Sequence, residues 1–435
     1  MKNIGIITLY HRNYNYGGAL QAYALNLAVR SLGYGCQTID YVPRSMPLAE
    51  KIRRKVASDG ALGVLRVSVR LGLEGAGRKI KGKAVPYLNP EAEEVVRLRE
   101  ENIAFFLDRY IPHTKPYTSE SIRETVELFD IFLCGSDQIW NMGSAGSFDP
   151  VYWLDFVPPS RGKASYAASI PMPEIPEGEK ETIRRWLRTF DLVTVREEHG
   201  RELLEPLRGR KVPVVLDPVF LPEMSRWEEL AGKRRVEGEY LFAYFLGDDR
   251  EQRKTAFDLA ERSGMKLVTI PYLTGEYRSC DREFGQIRAC GGPEEFLDLI
   301  RHASWVVTDS FHAAAFSFLF HTPLTVFRRG KRNGRRNMDS RLEHLAEMFG
   351  TPEIITEPAG IFCPDFARTD RILERERARS RRYLEQILAG ADPGETAGSG
   401  GTDQAGPRGC GRGTQGGLRE KMERTRQGEE RQIQA

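Results

Sequence analysis

The sequence predicts an α/β protein of two Rossmann-like, doubly wound domains facing each other across a cleft, followed by a disordered C-terminal tail. Three features carry that expectation. Short apolar runs rich in β-branched residues alternate with segments whose apolar residues recur at helical spacing, as in a parallel sheet with helical crossovers. The alternation stops over residues 223–238 and then restarts. After residue 390 large apolar residues become scarce.

In chain order, NIGIITLY reads as a buried strand, NYNYGG as a loop, and ALQAYALNLAVRSLG as a helix stopped by Gly33. CQTIDY is a second strand. Residues 48–90 form a basic, Gly-rich excursion with weak periodicity. Residues 91–110 are helical, and ELFDIFLCGSDQIWN is a strand running into a polar loop. GKASYAASI, DLVTV and KVPVVLDPVFL supply further strands, with helices after the first two, which completes a domain over 1–222. PEMSRWEELAGKRRVEGE lacks a pattern, and residues 223–238 within it read as a linker. A second domain over 239–370 takes its strands from EYLFAYFLG, MKLVTIPYL, SWVVTD and PLTVFRR, with helices between them. A last helix, within 371–390, is expected to pack back on the body. Residues 391–435 cannot bury enough apolar surface to fold.

Composition narrows the function. Of 435 residues, 40% are hydrophobic and 29% charged, as in an ordinary globular protein. A net charge of only +3 argues against a dedicated nucleic-acid binder. The cysteines at 36, 134, 280, 290, 363 and 410 show no metal-like spacing and no disulfide framework. No apolar run approaches the roughly 20 residues of a membrane span, and the start is too briefly apolar for a signal peptide. The cytoplasm is the expected compartment.

Polar residues set between apolar segments mark the candidate site. In TDSFHAAAFSFLF, a strand runs into a buried helix, so Asp309 and Ser310 fall at the cap and His312 in the first turn. Parallel sheets place ligands at that edge, and helix starts hold anions. Capping and a hydrogen bond from His312 to a neighbouring loop explain the same residues without a ligand. Asn15, Tyr16, Gly17 and Gly18 open the first helix, and these glycines let the backbone approach an anion or a sugar; a tight turn would use them equally well. Ser136, Asp137 and Gln138 end a strand, as ligand contacts or as a turn and cap. Arg196 lies just past a strand end between cleft and surface roles. FRRGKRNGRRNMDSR, including Arg328 and Arg341, is a basic loop suited to a polyanion.

GIITLYHRNYNYGGALQAYAL, FDIFLCGSDQIWN, ASYAASI, LVTVREEHG, VLDPVFL, VVTDSFHAAAFS and SRLEHLAEMFG, in that order, resemble the polysaccharide pyruvyl transferase family from about Ile4 to Ala389. The resemblance implies a GT-B-like arrangement with an N-terminal acceptor side and a C-terminal donor side. It implies transfer of the pyruvyl group of phosphoenolpyruvate to two hydroxyls of a sugar, as in exopolysaccharide or cell-wall glycan assembly, with release of phosphate. His312 is then the histidine near the donor and Arg196 the arginine of the VRE motif, with Asp309 and Ser310 beside them. Ser310 stands where some members carry an arginine, so the second cationic contact falls to Arg341 or to the loop beginning at Arg328. Asp137 is the candidate for orienting or deprotonating the acceptor. Asn15, Tyr16, Gly17, Gly18, Gln21, Ser136 and Gln138 make up the acceptor-side and loop contacts. No cofactor and no metal are expected; phosphoenolpyruvate is a co-substrate. A lipid-linked glycan acceptor would give the basic excursion an anionic membrane surface to touch, at its inner face. Two rivals remain on the same fold: a glycosyltransferase using a nucleotide-sugar, and a glycan-binding protein without turnover.

Overall fold

The structure is a computed structural model that describes residues 2–44, 90–141, 148–247, 249–271, 284, 287–328, 340–355 and 362–390. The basic excursion up to residue 89, the loop 329–339 and the tail from 391 lie outside the described residues. Residues Met1–Asp392 form one compact unit.

Two five-stranded parallel sheets organise the described residues. The first takes β1 (Asn3–Ile7), β2 (Gly35–Thr38), β3 (Ile131–Cys134), β4 (Gly162–Ala168) and β5 (Leu192–Val195) in the order β2-β1-β3-β4-β5. Its central strand β3 is buried at every position, as a strand covered on both faces must be. Helix α1 (Tyr16–Ser31) links β1 to β2, and α2 (Pro90–Tyr110) lies between β2 and β3 in the chain. Helices α3 (Glu177–Leu187) and α4 (Glu198–Arg208) precede and follow β5.

One expected strand is absent from this sheet. KVPVVLDPVFL makes a single bridge, Val214 to Val195, and then a 3-10 turn at Pro218–Phe220. Pro213 and Pro218 have no N–H to give a ladder, so the segment seals the edge of β5 and turns away. Asp217 caps that turn, accepting from the Val219 amide at 3.1 Å.

The second sheet takes β6 (Tyr240–Tyr244), β7 (Lys266–Thr269), β8 (Ile287–Arg288), β9 (Trp305–Thr308) and β10 (Leu324–Val326) in the order β10-β9-β6-β7-β8. The two-residue β8 is too short to leave a sequence pattern. Helices α6 (Arg250–Arg262), α7 (Pro293–Arg301) and α8 (Phe311–Leu319) alternate with these strands. Helix α8 is buried along its whole length, which explains its nearly uninterrupted apolar sequence.

The halves share a hydrophobic cluster. Tyr16, at the start of α1, stacks on Phe296 of α7 with ring centroids 5.0 Å apart, and its hydroxyl donates to the Gly291 carbonyl at 2.8 Å. The segment expected to be a patternless linker contains α5 (Met224–Ala231), whose fully buried Trp227 meets Phe316 edge to face at 4.9 Å. One aromatic anchor fixes this short helix, and one residue cannot produce a periodicity. After α9 (Ser340–Met348), α10 (Phe366–Ala389) begins ahead of the expected residue 371, with Asp365 accepting from the Arg368 amide at 3.1 Å. Its Leu373 joins the cluster shared by the halves, while Leu384, Ile387 and Leu388 pack with Ile4, Leu25 and Val29.

Candidate active site

The site forms where the starts of α1 and α8 oppose each other. His312 lies in the first turn of α8, after Ser310, whose hydroxyl accepts from the Ala313 amide at 3.5 Å. The imidazole rests against Gly17: a Cβ built there would come 2.0 Å from His312 Nδ1. Glycine is therefore required by the approach of the two halves. On its other side His312 Nε2 is 3.7 Å from Asp217 Oδ2, too long for a hydrogen bond, and this buried nitrogen has no hydrogen-bond partner.

Asp217 is the hub. Arg196 Nη1 donates to its Oδ2 at 2.6 Å, and Ser136 Oγ lies 3.3 Å from the same oxygen. Burial alone would push this carboxyl up. The nearness of His312 and of the Arg196 guanidinium outweighs burial and holds it well below the usual carboxylate range.

Arg196, only 3% exposed, is gripped from several directions. Besides Asp217, Glu197 Oε2 lies 3.5 Å from its Nε and Asp137 Oδ1 is 4.0 Å from its Nη2. The Phe311 ring stacks below the guanidinium with its carbon 4.6 Å from the centroid. Burial would lower its pKa, and the Asp217, Glu197 and Asp137 carboxylates raise it instead. Nε and Nη2 are buried without a hydrogen bond. Glu197 is anchored through Oε1, which accepts from Ser169 Oγ at 2.8 Å and the Ile170 amide at 2.9 Å.

A cavity of roughly 200 Å³ opens beside this cluster. Arg196, Asp217 and Phe311 form one wall, and Arg341 and His344 of α9, with Arg375 and Arg379 of α10, form the other. Arg341 is 4% exposed. With the Gln138 amide oriented so that its oxygen faces the guanidinium, it accepts from Arg341 Nη1 at 3.0 Å and Nη2 at 3.1 Å. Burial lowers the pKa of His344, although Glu197, Glu198 and Glu347 act against it. His312 itself is not among the lining residues; its Nε2 lies 3.7 Å from Asp217, which is.

The remaining residues singled out in the sequence divide into two groups. Gln21 and Ser136 join the cluster: Ser136 N donates to Gln21 Oε1 at 3.1 Å, and Gln21 Nε2 donates to Thr8 Oγ1 at 2.9 Å. Asn15 caps α1, accepting from the Gly18 amide at 3.1 Å. Asp309 turns away, its two oxygens accepting from the Leu246 and Gly247 amides at 2.6 Å each. Arg328 is half exposed and pairs with Glu343 at 3.3 Å. Asp217, Glu197, His344 and the α10 arginines were not anticipated. A carboxylate inside the apolar run VVLDPVFL was the signal for Asp217. The α10 residues lie too far along the chain from Arg196 for any sequence pattern to pair them. Among the described residues, no group of three or more His, Cys, Asp or Glu side chains is placed to hold a metal ion, and no helix is long and apolar enough to cross a membrane.

Comparison with known proteins gives the family. Among solved structures, the chain is similar to UDP-GlcNAc 2-epimerase from Methanocaldococcus jannaschii, at 11% identity and TM-score 0.46 over 89% of this chain and 99% of that one. It is similar to the Neisseria meningitidis UDP-GlcNAc 2-epimerase bound to UDP-GlcNAc, at 10% identity and TM-score 0.44 over 89% and 100%. AviGT4, a glycosyltransferase involved in avilamycin A biosynthesis, follows at 15% identity and TM-score 0.42 over 90% and 99%. No curated protein sequence matches the chain. Residues 15–330, which carry Gly17, Asp137, Arg196, Asp217 and His312, match the family described as Polysaccharide pyruvyl transferase, so the chain belongs to that family and is a transferase.

Proposed function

We propose that the protein moves the pyruvyl group of phosphoenolpyruvate onto two hydroxyls of a glycan sugar, forming a cyclic ketal and releasing phosphate. The observation that carries this reading is His312 Nε2: buried, without a hydrogen-bond partner, and held beside Asp217 and Arg196 at the start of α8. Unpaired buried nitrogens are costly, so one retained at a helix start favours a role in chemistry.

The donor is a small, strongly anionic molecule. Arg196 and Arg341 border one cavity from opposite halves and offer the two cationic contacts it needs. Ser310 acts as a cap, and Arg341 takes the part that an arginine at that position would play. His312 donates a proton to the methylene carbon, and positive charge develops at C2. A sugar hydroxyl adds to C2 and gives up its proton to the departing phosphate, whose bridging oxygen keeps the electron pair as the C2–O bond breaks. The second hydroxyl closes the ketal and returns its proton to His312. Asp137, between Arg196 and the Gln138 contact, orients the acceptor. A lipid-linked acceptor would place the reaction in the cytoplasm at the inner membrane face, with the basic stretch 48–90 against anionic lipid.

The test is incubation of the full chain with phosphoenolpyruvate and a panel of glycan acceptors, following phosphate release. His312→Gln should keep the fold and lower turnover about 10²–10⁴-fold, the usual contribution of a positioned acid. Near-normal turnover in that variant would remove His312 from the chemistry. Release of a nucleoside diphosphate from a nucleotide-sugar, with no phosphate from phosphoenolpyruvate, would replace the donor.

A further inference from the structure

We propose that His344 holds the phosphoryl group of the donor inside the cavity, opposite Arg196, and takes up a proton from solvent as that anion enters. The inference rests on the pyruvyl-transfer reading and adds to it the group that couples donor binding to pH.

The placement of His344 follows from the helix that carries it. Arg341, His344, Leu345 and Met348 all line the cavity, and they stand at i, i+3, i+4 and i+7 along α9. Residues at that spacing share one face of a helix, so this face of α9 is the cavity wall. A face packed for stability alone would be apolar throughout. Leu345 and Met348 meet that expectation, packing in the hydrophobic cluster shared by the halves. Arg341 and His344 break it. Arg341 is matched to the Gln138 amide oxygen at 3.0 and 3.1 Å. His344 is partly buried and makes no hydrogen bond among the described residues.

The charges around the imidazole favour its neutral form while the cavity holds no anion. Burial has the largest influence and lowers its pKa, and Arg196 adds to that; Glu197, Glu198 and Glu347 pull the other way. The carboxylates that border the cavity are committed elsewhere. Glu197 accepts from Ser169 Oγ and the Ile170 amide, and Glu198 pairs with Arg201 at 2.7 Å. Asp217 is held by Arg196 at 2.6 Å. On α10, Glu376 serves Arg379 at 2.9 Å and Arg375 at 3.2 Å. Glu347, three residues on along α9, is exposed. His344 therefore lines the cavity with a proton-binding nitrogen and no counter-charge of its own.

A phosphoryl group supplies what is missing. It brings nearly two negative charges and several acceptor oxygens, so the imidazolium gains both a counter-charge and a charge-assisted hydrogen bond. The phosphoryl end of the donor suits this place better than its carboxylate, because its charge is larger and shifts a neighbouring proton equilibrium further. The proton balance closes over one cycle: His344 takes a proton from solvent when the donor binds and returns it when phosphate departs.

Titration calorimetry of the full chain with phosphoenolpyruvate, in buffers of different ionisation enthalpy, counts the protons taken up on binding. Between about pH 5.5 and 8, where histidines titrate, the wild type should take up as much as about one proton more than His344→Gln. The donor's own ionisation is common to both proteins and cancels in the difference. The wild type should bind about 10–100-fold more tightly than the variant at the low end, the gap closing by at most about tenfold per pH unit as pH rises. His344→Asn should behave alike and serves if the Gln variant does not fold. Inorganic phosphate should show the same excess uptake and pyruvate none; an excess with pyruvate alone overturns the phosphoryl contact. Equal uptake in wild type and variant, with phosphoenolpyruvate bound by both, overturns the part given to His344 and leaves the donor reading standing. So does a wild-type uptake no greater than the donor's own ionisation accounts for. A wild type that binds no phosphoenolpyruvate, with or without acceptor, overturns the pyruvyl-transfer reading and this inference with it.

Discussion

The two sheets reverse their strand order at matching places, yet close the resulting crevices differently. In the C-terminal half a carboxylate spans the gap: Asp309, after β9, accepts from the Leu246 and Gly247 amides that follow β6. In the N-terminal half neutral groups do so, through Thr8, Gln21 and Ser136. The Arg196–Asp217 ion pair lies two strands beyond β3, beside β5. The C-terminal half thus satisfies its own strand ends and presents a rigid turn bearing His312. The N-terminal half holds its charges in an ion-paired cluster against which that turn fits. Matching folds do not imply matching roles for their strand ends.

Substitutions can break or sharpen this contrast. Asp217→Ala should have the largest effect, because it deprives buried Arg196 of its closest partner. Loss of one member of a buried pair costs about 3–5 kcal/mol, and a urea-denaturation midpoint would read it. Turnover should be lost in the same variant. Asp309→Ala leaves the Leu246 and Gly247 amides without their acceptor, at about 1–3 kcal/mol per amide. Residual turnover per folded molecule should stay near wild type, which separates a scaffold carboxylate from a chemical one. Gly17→Ala forces a methyl group into His312, and overpacking of this kind costs about 1–3 kcal/mol. Its signature is a fall in kcat out of proportion to the change in thermal midpoint.

The smallest effect is one of pH. Burial lowers the pKa of His344 from 6.5, so the unfolded chain binds the proton more readily than the folded one. Stability is therefore lost as pH falls below about 6.5. His344→Gln should flatten that part of the stability–pH curve between neutrality and the carboxylate range, as followed by denaturant melts across pH. A slope unchanged by the substitution would place the titration elsewhere. Asp217, whose pKa is depressed, contributes in the other window: its stabilisation is present above the usual carboxylate value and is lost as pH falls toward its folded one.

Much of this molecule was legible in the chain. Runs such as IFLC in β3 and WVVT in β9 are apolar because both faces of a parallel strand are covered, and that pattern is local. TDSFH marked the start of α8 for the same reason, since a cap followed by an apolar helix is written in consecutive residues. KVPVVLDPVFL misled because its apolar content resembles a strand, while two prolines deny it the ladder. Arg196 was legible as a strand-end cation, and its pairing with Asp217, Glu197 and Asp137 was not.

The amino-acid sequence by itself determined the alternation of strands and helices, the two-sheet architecture and the helix start that carries His312, because propensity, period and capping act over a few neighbouring residues. Tertiary structure alone decided that His312 meets Gly17 and Asp217, that Arg341 reaches Gln138, and that α10 closes the cavity. Those contacts join residues far apart in the chain. They depend on how the halves pack, and packing is a property of surfaces that no short window of sequence contains.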